Sequence, residues 1–292
     1  MEVIRAGVLG FCMGVRRAVD FAINETQTGS PVFSLGPLIH NPIALADLEV
    51  QGIKSVDSLD QLPSDRNCSV IIRAHGIEPN MEKALRASGV NFVDATCPNV
   101  KANQLKAEEL SRLGYCLFLA GEAKHAEVEG ILGYVKCSSN DAFCEITGNA
   151  SDAGKAAKKL YSINSDVKTA ILGQTTISEK EYLEISEAVR IFFPNLEVIQ
   201  TICTATKERQ EALNDLLHQV DAVIVAGGKN SANTRRLLYI AEESGKPCAL
   251  VEDPLEIPDF FFTCEKVGLC AGASTPDSVI GMIEERLLTY SL

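Results

Sequence analysis

The stretch DATCPNVKANQLKAEELSRLGYCLFLAGEAKHAEVE (residues 94–129) decides how this chain is read. A short extended run delivers the chain to Cys97. A helical pattern follows, then the apolar run YCLFLAG ending at Gly121. His125 opens a second helical pattern, with Glu127 two residues further on. The same plan occurs three times. Gly36, Gly121 and Gly227 each stand 24 residues after Cys12, Cys97 and Cys203, and the polar residue 28 after each cysteine is His40, His125 and Ser231. A fixed period of supersecondary structure marks an internal repeat.

Outward from that stretch, apolar strands alternate with helical patterns, which predicts an α/β protein with parallel sheets. The first unit reads as a helix from Met13 to about Asn24, the strand VFSLG, a helix from near Asn41 capped by Gly52, and the buried strand VIIRAHG ending at His75. In the second, the strand TAILGQTT ends at Thr175 and Thr176, and Pro194 stops the helix after it. In the third, VGLCAGAST ends at Ser274 before a closing helix. The repeat sets units at residues 1–95, 96–198 and 199–292, the last including the C-terminal helix. Ligands collect at the carboxyl ends of parallel strands. Three similar units in a pseudo-threefold trefoil would therefore carry the cysteines, the set His40, His125 and Ser231, and the set His75, Thr175 and Ser274 to one central point.

Composition narrows the class. The 27 basic and 39 acidic residues leave a net charge of −12, which argues against nucleic acid and anionic membranes as partners. An anionic substrate would need a locally positive pocket. No run of 18 apolar residues predicts a membrane span, and MEVIRAGVLG lacks the pattern of a signal peptide. Ten cysteines in 292 residues are too sparse for a disulfide scaffold. The expected compartment is the reducing cytoplasm, where cysteines are core residues, ligands or catalysts.

A single cysteine is most often a buried core residue, and that is the reading for Cys68, Cys116, Cys137, Cys144, Cys248, Cys264 and Cys270. Cys12, Cys97 and Cys203 differ because the repeat makes them equivalent. Each sits at a predicted helix N-terminus, where the dipole favours the metal-binding thiolate. Three converging thiolates suit zinc or an iron–sulfur cluster. A closed zinc site usually has a short C-x₂₋₄-C hook, which these three lack. The preferred reading is a [4Fe–4S] cluster with one iron free of cysteine.

Three of the four histidines, His40, His75 and His125, lie at predicted strand ends. Histidine can donate to phosphate oxygens. Asn41, His125 and Ser231 open helices, whose free N–H groups favour phosphate or diphosphate. Asn233 and Ser274 add neutral donors. Glu127 reads either as an acid suited to a helix first turn or as a proton donor beside the cluster, with Thr175 relaying or positioning.

The segments GFCMGVRRA, LIHNP, RAHG, DATCP, KHAEVEG, GQTT, TICTAT, GGKNSANTRRL and AGASTP resemble the LytB-type 4-hydroxy-3-methylbut-2-enyl diphosphate reductases, which end the non-mevalonate isoprenoid pathway. They cover essentially the whole chain in the family's order. The resemblance implies a three-domain trefoil around a [4Fe–4S] cluster ligated by Cys12, Cys97 and Cys203. It places His40, His75, His125, Thr175, Ser231, Asn233 and Ser274 around the substrate, mostly its diphosphate, and makes Glu127 the proton donor. It implies two external electrons from a donor such as ferredoxin or flavodoxin, with isopentenyl and dimethylallyl diphosphate as products. Ala232 stands where the family often has a second serine, so one hydroxyl contact to diphosphate is expected to be absent. Two other classes fit a three-cysteine cluster: a Lewis-acid dehydratase of the quinolinate-synthase type, and a non-enzymatic iron–sulfur redox sensor.

Overall fold

The computed structural model describes residues 1–139 and 142–289. In chain order the elements are β1 (Glu2–Arg5), α1 (Met13–Thr26), β2 (Val32–Leu35), α2 (Pro42–Val50), β3 (Ile53–Val56), β4 (Ser69–Ile72), α3 (Pro79–Ala87) and β5 (Asn91–Asp94). Next come α4 (Pro98–Arg112), β6 (Cys116–Ala120), α5 (Ala126–Ser138), β7 (Cys144–Thr147), α6 (Ala150–Ile163), β8 (Thr169–Gly173), α7 (Glu179–Arg190) and β9 (Glu197–Val198). The last are α8 (Thr204–Leu217), β10 (Ala222–Ala226), α9 (Ala232–Glu243), β11 (Cys248–Val251), β12 (Lys266–Ala271) and α10 (Asp277–Thr289).

The strands form three parallel four-stranded sheets of orders β3-β2-β4-β5, β7-β6-β8-β9 and β11-β10-β12-β1. The orders are the same once the chain is read cyclically. β9, the strand leading toward Cys203, completes the second sheet through Ala170↔Glu197. β1, the strand leading toward Cys12, completes the third sheet through Glu2↔Lys266 and Arg5↔Leu269. Each cysteine is therefore reached from the edge of a sheet whose other strands precede it in the cycle, whereas the expected boundary at residues 1–95 assigns β1 to the first unit.

Central strands are buried on both faces, as parallel strands covered by helices must be. In β6 and β8, Leu117, Leu119, Ala170 and Leu172 pack with Ala107 and Leu110 of α4 and with Val128, Ile131 and Val135 of α5. Phe118, Ala120 and Ile171 face Ala157 of α6 and Ile185 and Val189 of α7. In β10 and β12, Ile224 and Leu269 face Ile280 and Ile283 of α10, while Val225 and Cys270 face Leu213 of α8 and Leu237 of α9. Burying one such side chain contributes roughly 1.5–3 kcal/mol, so the strand ends inherit rigid supports.

The sequence reading passes from the helix after Glu127 straight to TAILGQTT. The structure fills that interval with β7 and α6, a parallel crossover that lets an edge strand join the sheet. α7 ends at Arg190, before Pro194, and Phe193 still donates its N–H to Val189 O at 3.0 Å.

The chain divides into two compact units, one of Met1–Ile71 with the segment from Thr204 onward, the other of Ile72–Cys203.

Candidate active site

The first unit carries Cys12, His40, Ser231, Asn233 and Ser274; the second carries Cys97, Cys203, His75, His125, Glu127 and Thr175.

In the first unit, Cys12 is the N-cap of α1 and its side chain makes no cap hydrogen bond. Its N–H donates to Ala273 O at 3.0 Å, which fixes it beside the turn bearing Ser274. Arg209 of α8 donates to Gly10 O at 2.6 Å and braces the approach. Ser231 caps α9, accepting from Thr234 N–H, and Ser274 Oγ donates to Ser231 Oγ at 3.4 Å. Asn233 is 3% exposed, and neither its Nδ2 nor its Oδ1 has a partner. Leaving both ends of a buried amide unmade costs about 1–3 kcal/mol each, which fits a residue built to meet a polar ligand. Ala232 is buried at the first position of α9; it offers a backbone N–H and no hydroxyl.

His40 is held by its backbone. A Cβ on Gly228 would lie 1.6 Å from His40 O, so only glycine admits this approach. Asn41 caps α2, accepting from Ala44 N–H at 3.0 Å, and donates from Nδ2 to Glu252 O at 3.2 Å. The cap equivalent to His125 and Ser231 is thus Asn41, with His40 one residue before it. Pro42 at the first helical position sets that boundary.

In the second unit, Cys97 caps α4 and makes no side-chain cap hydrogen bond. Its N–H donates to Ala74 O at 2.9 Å. The Cys203 N–H donates to Thr175 O at 3.0 Å, and Asn99 Nδ2 donates to Cys203 Sγ at 3.2 Å. The His75 and His125 rings meet edge-on with centroids 5.3 Å apart. His125 caps α5, its Nδ1 accepting from Glu127 N–H at 3.3 Å. That leaves Nε2 to carry the ring proton in the neutral form.

Glu127 is 1% exposed. Thr175 donates from its N–H to Oε1 and from its hydroxyl to Oε2, both at 2.7 Å. Burial raises the carboxyl to about 7, against the lowering effect of the two Thr175 hydrogen bonds. A carboxyl that ionises near neutrality can hold a proton and release it at working pH.

The turns after β4, β8 and β12 show a register that spacing alone misses. Gly76 N–H bonds Arg73 O at 2.9 Å, Ile177 N–H bonds Gln174 O at 3.0 Å, and Thr275 N–H bonds Gly272 O at 3.1 Å. The second turn residue, whose carbonyl accepts the cysteine N–H, is Ala74, Thr175 or Ala273. The third is His75, Thr176 or Ser274. Thr175 is therefore not the counterpart of His75 and Ser274.

All ten cysteines are free thiols. Of the seven expected in the core, only Cys68 and Cys270 are buried; Cys116, Cys144, Cys248 and Cys264 are half-buried and Cys137 is exposed. Burial pushes Cys144 and Cys270 up to about 12. Among the described residues, no three His, Cys, Asp or Glu side chains are grouped to hold a single metal ion. A cluster makes a different demand, since each thiolate binds its own iron. Cys12 and Cys97, helix caps without a cap hydrogen bond, and Cys203 supply soft donors of the right chemistry.

Comparison with known proteins places these residues in context. The family model described as LytB protein matches residues 3–288. A 4-hydroxy-3-methylbut-2-enyl diphosphate reductase of Treponema denticola is 41% identical, over 99% of each chain. The enzyme of the same name from Aquifex aeolicus is 38% identical, over 98% of this chain and 96% of its own. A solved structure of (E)-4-hydroxy-3-methyl-but-2-enyl diphosphate reductase, described as the terminal enzyme of the non-mevalonate pathway, superposes with a TM-score of 0.70 at 37% identity, covering 99% of each chain. The E-1-hydroxy-2-methyl-but-2-enyl-4-diphosphate reductase of Plasmodium falciparum superposes with a TM-score of 0.88 at 26% identity, covering 99% of this chain and 88% of that one.

Proposed function

The chain belongs to the LytB protein family, and from that premise we propose that it reductively removes the allylic hydroxyl of 4-hydroxy-3-methylbut-2-enyl diphosphate, giving isopentenyl and dimethylallyl diphosphate. It is an enzyme, a reductase of the non-mevalonate pathway. The finer chemistry is our reading. No helix of the described residues is long and apolar enough to cross a membrane, and the compartment we propose is the cytoplasm. The three repeat units, 1–95, 96–198 and 199–292, are the proposed domains, with β1 of the first joining the sheet of the third.

Cys12, Cys97 and Cys203 would hold a [4Fe–4S] cluster. When bound, it supplies electrons one at a time, taken from a donor such as ferredoxin or flavodoxin, and a Lewis-acidic iron not claimed by cysteine. Everything else falls to the chain's own side chains. Ser231, Asn233 and Ser274, with His40, His75 and His125, bind the diphosphate; the orphaned Asn233 amide supports this most directly. Thr175 orients Glu127 by taking both of its oxygens. Protonated Glu127 gives its proton to the departing hydroxyl oxygen, which leaves as water; the allyl fragment, having gained two electrons from the donor, takes a second proton at either end to give the two products. When Glu127 is protonated on Oε2, the Thr175 hydroxyl that touches that oxygen accepts from it and passes its own proton on, as a relay. Burial of Glu127 keeps bulk water from taking it first.

The observation that carries the reading is a buried carboxyl, 1% exposed, with both oxygens held by Thr175 at 2.7 Å. The test is anaerobic turnover with reduced methyl viologen. Formation of both isopentenyl and dimethylallyl diphosphate supports it. Iron-loaded protein without either product would return the chain to the dehydratase or redox-sensor class.

A further inference from the structure

We propose that Thr176 is a substrate contact, donating its hydroxyl proton to a phosphate oxygen of the allylic diphosphate, and that Gln174 is the positioning residue that keeps this hydroxyl a donor. The inference rests on the diphosphate reading above and deepens it.

The first argument is register. Three turns close with the same hydrogen bond, and in each the second residue accepts the N–H of a cysteine from its carbonyl. That double constraint aligns the third residues without ambiguity: His75, Thr176 and Ser274. Two of the three are assigned to the diphosphate. Thr176 is partly buried, and its hydroxyl has no place in the mechanism so far. Thr175, one residue earlier, is committed through its side chain to Glu127 and through its carbonyl to Cys203.

The second argument is the state of that hydroxyl. Gln174 is 1% exposed. Its Oε1 accepts Glu122 N–H at 3.1 Å, so the other end of the amide must be the NH₂. That Nε2 donates to Thr176 Oγ1 at 2.8 Å. With Oγ1 accepting from the amide, the Thr176 proton turns elsewhere, as a donor. Gly121 keeps the amide seated: a Cβ there would lie 2.9 Å from both Cβ and Oε1 of Gln174. An acceptor-only ligand such as a phosphate oxygen suits a hydroxyl fixed this way.

The test compares Thr176→Val, Thr176→Ser and Gln174→Met in the iron-loaded enzyme, with inorganic pyrophosphate as probe. Its inhibition constant is measured beside KM and kcat, and its effect on the melting temperature is measured without turnover. Thr176→Val should raise KM and the pyrophosphate inhibition constant together, about tenfold for one lost hydrogen bond, with kcat within about threefold. Thr176→Ser should restore both. Gln174→Met should weaken pyrophosphate in the same direction, which also serves if Thr176→Val melts early. A wild-type pyrophosphate response in Thr176→Val, or a loss confined to kcat, overturns the proposal. If the unaltered protein fails to reduce the substrate, the activity reading falls, and the melting shifts with pyrophosphate still decide on Thr176.

Discussion

Thr175 takes both oxygens of the Glu127 carboxyl, its N–H donating to Oε1 and its hydroxyl to Oε2, each at 2.7 Å. One residue thus sets the orientation and the acidity of the other. Burial pushes the carboxyl up, and these two bonds pull it back to about 7. In the proposed role the acid form is the useful one, so kcat should fall as pH rises through about 7. Glu127→Gln keeps the shape and loses the proton; turnover should drop about 10²- to 10⁴-fold with KM nearly unchanged. A pH-independent kcat in the unaltered enzyme, or near-normal turnover in the variant, would remove Glu127 from this role.

Thr175→Val removes the hydroxyl bond that lowers the pKa of Glu127 while keeping the backbone bond. The descending limb of the pH profile should therefore move to higher pH, beside a lower maximal rate. A limb that stays in place would mean that another group titrates there.

The same carboxyl leaves a mark on stability. Its ordinary value is 4.5 and its folded value about 7. Between those pH values the folded state keeps a proton that the unfolded state has released, so this contribution is full below 4.5 and is lost as pH rises to 7. The difference is about 3 kcal/mol. Denaturant midpoints of the unaltered protein should fall relative to Glu127→Gln across that window; parallel curves would contradict the assigned shift.

Gly228→Ala should disable the His40 loop, since its Cβ would lie 1.6 Å from His40 O. The backbone must move to make room, at about 3 kcal/mol or more. A lower melting temperature and weaker pyrophosphate binding are expected. A variant matching the unaltered protein in both would show that the loop adapts freely.

Much of this site was legible in the sequence because the repeat is local. Cys12, Cys97 and Cys203 precede helices, and the strand ends at His75, Thr175 and Ser274 follow apolar runs that pattern alone reveals. What escaped depends on pairing at a distance. β3, β7 and β11 are four-residue edge strands with little periodicity. β1 finds its partner at Lys266–Leu269, far along the chain. The one-residue offset at Thr176 is set by turn hydrogen bonds, which spacing cannot resolve, whereas the helix opening at Asn41 is readable from its Asn-Pro pair. Gln174 and Gly228 carried no motif of their own; their roles appear only when Glu122, Thr176 and His40 come into place around them.

The central claim is that Cys12, Cys97 and Cys203 hold one cluster, and its most direct measurement is anaerobic iron and sulfide content with the visible absorption spectrum. The unaltered protein should carry about four irons and four sulfides and a broad brown absorbance. Cys97→Ser and Cys203→Ser should each lose most of both while keeping a cooperative melt. Full iron, sulfide and absorbance in either serine variant would contradict the account.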